Sequence, residues 1–149
     1  MSTALHLCTP DDAARLGDLM TRFAQEYGLD QTPEDRAAAL APLLDGHPYG
    51  MAYLLGPSRA SVGYLIVTLG WSIELGGMEA WLDEIYIRPP VRGRGIATEV
   101  LHALSKTLKQ AGVRALHLEV DRAAEATQRL YRRAGFALRD RHCLMTRGL

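Results

Sequence analysis

Cysteine is nearly missing from this chain of 149 residues. Cys8 and Cys143 stand alone near opposite ends, so there is neither a disulfide framework nor cysteine ligand spacing. Both lie in apolar, strand-like runs, which predicts two buried thiols. Long apolar runs are also lacking: none approaches the ~20 residues needed to span a bilayer. The N-terminus has no charged segment followed by an apolar one, so no signal peptide is expected. Together these absences predict a cytoplasmic protein with no membrane partner. Net charge is absent as well, with 17 basic residues against 17 acidic ones, which argues against a general nucleic-acid binder. The five histidines show no metal-ligand spacing, so no metal is expected. Glycine and proline punctuate the chain without forming a linker or a repeat, and the length predicts one domain over 1–149.

Charge is present, but it is divided. Residues 1–90 carry 12 acidic and 5 basic side chains, and residues 91–149 carry 5 acidic and 12 basic ones. An acidic half beside a basic half suggests two different ligands, although surface charge alone would also produce such a division.

Periodicity supplies the elements. Ala4 to Cys8 reads as a short strand. Thr9-Pro10-Asp11-Asp12 and Thr32-Pro33-Glu34-Asp35 are two helix starts, each with a capping threonine, proline at the first helical position and acids favoured by the helix dipole. Apolar residues then recur at helical spacing through Tyr27 and through Leu44. Strands are expected over 49–55, 61–74 and 78–87, the last two joined by a Gly76-Gly77 hairpin turn. A helix over 96–110, a strand over 115–120, a helix over 124–134 and a final hairpin over 136–140 and 142–146 complete the order. Antiparallel hairpins followed by a parallel crossover predict an α/β class fold, a mixed twisted sheet of about seven strands flanked by about four helices.

Arg92-Gly93-Arg94-Gly95-Ile96-Ala97 is the most informative stretch. It follows the apolar strand Ile85-Tyr86-Ile87 and opens directly into a helix. Backbone N–H groups at a helix start lack intrahelical partners and carry positive potential. Glycines let main chain approach an anion closely, so a phosphate-bearing ligand is expected there. Arg92-x-x-Gly95-x-Ala97 resembles the acyl-CoA signature of the GNAT superfamily of N-acetyltransferases, Gln/Arg-x-x-Gly-x-Gly/Ala. Tyr131-Arg132-Arg133-Ala134-Gly135-Phe136 resembles that family's second motif, Tyr-x-x-x-Gly-Phe. The likeness is specific over Trp81 to Phe136 and only topological elsewhere.

The resemblance implies a GNAT-like fold, acetyl-CoA as co-substrate and no metal. It places the CoA pyrophosphate on Arg92, Gly93, Arg94, Gly95, Ile96, Ala97 and Thr98. The pantetheine arm would lie between strands 78–87 and 115–120, which splay apart in that family, against main chain of Ile85, Tyr86 and Ile87. Tyr131 matches the tyrosine placed near the CoA sulfur, where a phenol could protonate the leaving thiolate; read without the motif, it is a helix residue packing on the sheet. The family also often forms homodimers. One departure stands out. Where many members carry Asn seven residues before the tyrosine this chain has Ala124, which removes a side-chain hydrogen bond to pantetheine.

Transfer of an acetyl group to an amine needs a base, because an ammonium has no lone pair, and donors for the tetrahedral oxyanion. Asp83 and Glu84 are the candidate bases. Adjacent strand residues face opposite ways, so one lines the cleft and the other is solvated or salt-bridged. Their strand resembles that of spermidine/spermine and related small-amine acetyltransferases, in which the acid matching Asp83 takes the amine proton. Glu74, Glu79, Asp83 and Glu84 could attract a cationic amine, and Tyr27, Tyr64, Trp71 and Trp81 could wall its pocket. His117 and Glu119 share one strand face, in the cleft or on the surface. The expected function is acetyl transfer to a primary amine of a small cationic molecule in a ternary complex. The alternatives are a protein lysine or N-terminal acetyltransferase and a non-catalytic acyl-CoA-binding regulator.

Overall fold

The computed structural model describes residues 3–149. Five strands form one sheet in sequential order: β1 (Leu5–Leu7), β2 (Gly50–Leu55), β3 (Gly63–Ser72), β4 (Gly77–Ile87) and β5 (Ala115–His117). The first four pair antiparallel and β4 pairs with β5 parallel. Four helices flank the sheet: α1 (Ala13–Tyr27), α2 (Pro33–Leu44), α3 (Ile96–Gln110) and α4 (Glu125–Arg133). The mixed class is as the sequence predicts, with fewer strands.

The helix starts behave as their sequences require. Asp12 reaches back to accept the Thr9 backbone N–H at 2.9 Å, and the Thr32 hydroxyl accepts the Asp35 N–H at 3.1 Å. Helix α1 ends at Gly28, whose φ of 63° is cheap only for glycine. Two apolar layers sandwich the sheet. Leu16, Leu19 and Met20 of α1 and Leu40 and Leu44 of α2 pack on Leu54, Tyr64, Ile66 and Tyr86. Val100, Leu101, Leu104 and Leu108 of α3 pack on Leu65, Val67, Leu82 and Ile87.

Two expected strands do not form. Residues 136–146 hold no strand, and the C-terminal stretch lies largely exposed. The reason lies in β5. It keeps three residues of the six expected, too short an edge to carry a further ladder, and Arg139-Asp140-Arg141-His142 breaks the apolar alternation in the middle of the supposed hairpin. The prediction of two buried thiols is half right, because Cys8 is buried and Cys143 is exposed.

β4 also carries an irregularity that periodicity hides. Ile66 faces Glu84 across the ladder and Val67 faces Leu82, which leaves Asp83 as an extra residue, a β-bulge. Strand parity confirms it. Leu82 and Ile85 are three apart and would face opposite sides of a regular strand, yet both pack in the α3 layer.

Candidate active site

The short β5 creates the site's main feature. On its side away from β3, β4 is paired only at Glu79, Ala80 and Trp81, against Ala115, Leu116 and His117. From Leu82 to Ile87 that edge has no strand partner among the described residues, because β5 ends at His117. The bulge lies just past the last paired residue. A strand edge with unpaired N–H and C=O groups is a template for an extended, amide-bearing guest.

The open edge leads to the glycine turn. Gly93 and Gly95 both have positive φ, 76° and 79°, and Gly95 is the residue from which α3 starts. Among the described residues, no acceptor meets the backbone N–H of any residue from Gly93 to Thr98. A cradle of free N–H groups at a helix start, with no side chain above the glycines, fits a diphosphate. The turn lies at the surface, with 92–95 exposed.

Arg92 does something other than wait for an anion. Its guanidinium meets both Glu26 carboxylate oxygens at 2.7 Å, its Nε donates to the Ile87 carbonyl at 2.7 Å, and it covers the Tyr86 ring. The hydrogen bond from Arg92 holds the Glu26 carboxyl below its usual range. The arginine therefore braces the turn against the end of α1. Arg94 is exposed and has no ion-pair partner among the described residues.

The two candidate bases occupy different environments. Both Glu84 carboxylate oxygens accept from one terminal nitrogen of the buried Arg36 guanidinium, Nη2, at 2.7 Å, and one of them also accepts from the Tyr64 hydroxyl at 2.8 Å. A carboxylate so fully engaged has little capacity left for a substrate proton. Asp83 makes no hydrogen bond or ion pair among the described residues and stays open to solvent on one flank. Partial burial of its carboxyl raises its pKa, as do the charges of Glu84 and Glu119, while Arg36 pulls it down. Glu84 is thus the salt-bridged acid of the pair and Asp83 the unbridged one, with the bulge interrupting regular strand alternation between them.

Tyr131 lies on α4 with its ring against Phe136, centroids 5.8 Å apart, and borders an open cleft of about 1240 Å³ around β5. Burial, and then the Tyr27 hydroxyl, raise its pKa. The same cleft is lined by Glu79, Trp81, His117 and Glu119. His117 Nε2 is 3.0 Å from Glu79, and its ring lies 4.9 Å from that of Trp81. Of the expected aromatic walls, Trp81 lines the cleft, whereas Tyr64 is wholly buried beneath Glu84 and Trp71 is exposed at the hairpin end of β3.

A mixed sheet with one short parallel pair beside a glycine-started helix fits the acyl-CoA N-acyltransferase class. The acetyltransferase (GNAT) family model matches residues 15–136, and the chain belongs to this family of N-acetyltransferases. An integron cassette protein from the mobile metagenome of Cole Harbour Salt Marsh is 30% identical, with 97% of this chain and 90% of that one covered and a TM-score of 0.85. A ribosomal-protein-alanine N-acetyltransferase from Brucella melitensis biovar Abortus 2308 is 22% identical, with 99% and 100% covered and a TM-score of 0.76. AAC(6')-Iy, solved with the bisubstrate analog CoA-S-monomethyl-acetylneamine, is 13% identical over 100% of both chains with a TM-score of 0.79. No curated protein matches the sequence.

The bulge and the Arg36–Glu84 pair escaped sequence reasoning. A signal for the bulge was present. Apolar residues at 80 and 82 and then at 85 and 87 change parity between Leu82 and Ile85. No local pattern links Arg36 with Glu84, 48 positions apart.

Proposed function

We propose that this acetyltransferase moves the acetyl group of acetyl-CoA to a primary amine of a small cationic molecule, by direct attack while both substrates are bound. Enzymes of this family use acetyl-CoA. The observation that carries the reading is the unpaired edge of β4 from Leu82 to Ile87, running from the bulge to the free N–H groups at 93–98. A pantetheine arm has amides to pair with that edge, and a diphosphate suits the turn beyond it.

Asp83 takes the proton from the attacking ammonium, directly or through one water. Its raised pKa makes it a better base than an ordinary carboxylate, and its open flank leaves room for the amine. The amine nitrogen bonds to the thioester carbonyl carbon, and a main-chain N–H near Ile85 to Ile87 receives the oxyanion. As the C–S bond breaks, the Tyr131 hydroxyl donates to the sulfur, and the second proton of the attacking nitrogen passes through water to the phenolate, restoring the tyrosine. Its raised pKa keeps the phenol protonated, as a donor must be.

The preference for a cationic acceptor rests on the carboxylates of Glu79 and Glu119, which line the cleft with the Trp81 ring, and on Asp83, which lies near enough to Glu119 to feel its charge. The test is release of free CoA with a panel of polyamines, aminoglycosides, amino acids and lysine peptides. Turnover confined to small polycations supports the reading. Turnover confined to peptides moves the enzyme to the protein-modifying branch. Acetyl-CoA binding with no turnover on any amine makes the chain a regulator.

A further inference from the structure

An arginine buried to 5% exposure inside the α1/α2 layer calls for a reason. Buried ion pairs seldom stabilise more than apolar residues of the same shape would, and their best-attested use is to fix one arrangement among several. Arg36 is strongly fixed. Its Nη2 donates to both Glu84 oxygens, Gln31 accepts from Nη1 at 3.2 Å, and the Phe23 ring lies 5.6 Å from the guanidinium carbon. Tyr64 adds a hydroxyl donor to the same carboxylate from β3.

What this cluster fixes is the bulge. Glu84 is the first paired residue after the extra one, and its side chain enters the α1/α2 layer while Leu82 and Ile85 enter the other. A regular β4 would turn Glu84 toward the α3 layer, where Arg36 could not follow. The polar demand of Glu84 and the apolar demand of Ile85 and Ile87 are both met only if one residue is left out of the ladder, and that residue is Asp83.

We propose that Arg36 is a positioning residue for acetyl transfer: by gripping Glu84 from α2, it locks the kink in β4 that presents Asp83 to the acceptor amine. The proposal rests on Asp83 serving as the base. The charged groups acting on Asp83 are Glu84 from its own strand, Arg36 from α2 and Glu119 from the segment after β5.

The experiment uses the full chain and three variants, D83N, R36K and R36Q/E84Q. The double variant removes both charges and so leaves no buried ion unpaired. R36K keeps the charge on a side chain one atom shorter, which leaves it short of Glu84, and stands in if the double variant does not fold. Two readouts are taken: steady-state CoA release, and titration of the Asp83 side-chain carboxyl followed by carbon NMR without ligand. The double variant should lose about 10-fold or more in kcat while the KM for acetyl-CoA stays within about twofold, because misplacing a reacting group costs rate rather than cofactor affinity. The Asp83 titration should move down in R36Q/E84Q, since the influence of Glu84 outweighs that of Arg36, and up in R36K, where the shorter side chain holds its charge farther from Glu84 and Asp83. General loosening of the fold would move both the same way. Titrations that match wild type, or that shift in one common direction, overturn the proposal. So does a full kcat in R36Q/E84Q when D83N is slow. A D83N variant with undiminished kcat overturns the base assignment instead, and the titrations still decide whether Arg36 governs the placement of Asp83.

Discussion

Asp83 and Tyr131 both have raised pKa values, with different consequences. A carboxyl whose pKa is higher in the folded chain than in the unfolded one holds its proton more readily when folded. Stability therefore falls as pH rises from the unfolded to the folded value, and at neutral pH the Asp83 charge is a burden. Asp83→Asn should raise Tm slightly, by ~2 °C at most because the group is open to water, while lowering kcat ~100-fold. Calorimetric melting and CoA release check the two halves; a lowered Tm contradicts the pKa assignment. For Tyr131, a phenylalanine keeps the packing on Phe136 and loses only the hydroxyl. Tyr131→Phe is expected to reduce kcat ~100-fold with acetyl-CoA affinity unchanged by calorimetry. Equal losses of affinity and rate would make the tyrosine a packing residue. Both residues were legible in the sequence through the motifs flanking them. The division of labour between Asp83 and Glu84 was not, because it depends on Arg36, which no local pattern connects to either.

The elements tell a similar story. All four helices could be read, α1 and α2 from their threonine-proline starts and α3 and α4 from the motifs around them, because a helix is specified by residues a few positions apart. Strands are specified by neighbours distant in the chain, and here sequence reading ran long. It extended β5 to six residues and closed the sheet with a hairpin, whereas the ladder ends at His117 and leaves β4 open. The missing pairs are what make room for a guest. At the head of α3 the decisive property is backbone conformation. Nothing lies within 4 Å of a Cβ built on Gly95, so a side chain there meets no clash and the cost is the positive φ alone. Gly95→Ala is expected to destabilise the fold by ~1–2 kcal/mol and to weaken acetyl-CoA binding by reshaping the amide cradle. Denaturant melts and calorimetry on the same sample measure both; unchanged affinity would remove the turn from the cofactor site.

Across the whole molecule, two long-range ion pairs tie the α1/α2 layer to β4 and to the turn that follows it. Arg92 with Glu26 binds the phosphate turn to the end of α1, and Arg36 with Glu84 binds α2 to the bulge. The first is exposed and should be worth ~1 kcal/mol or less. The second is buried, so Arg36→Leu, which strands Glu84 without a partner, should cost ~3–5 kcal/mol in denaturant unfolding, whereas loss of both partners should cost far less. The acidic half of the sequence supplies the α1/α2 layer and the bulge, and the basic half supplies the turn and α4. Isothermal calorimetry of acetyl-CoA with the purified chain and with its Gly95→Ala variant tests the core of this account most directly. The account predicts saturable one-to-one binding to the first and clearly weaker binding to the second. A folded chain that takes up no acetyl-CoA would contradict it.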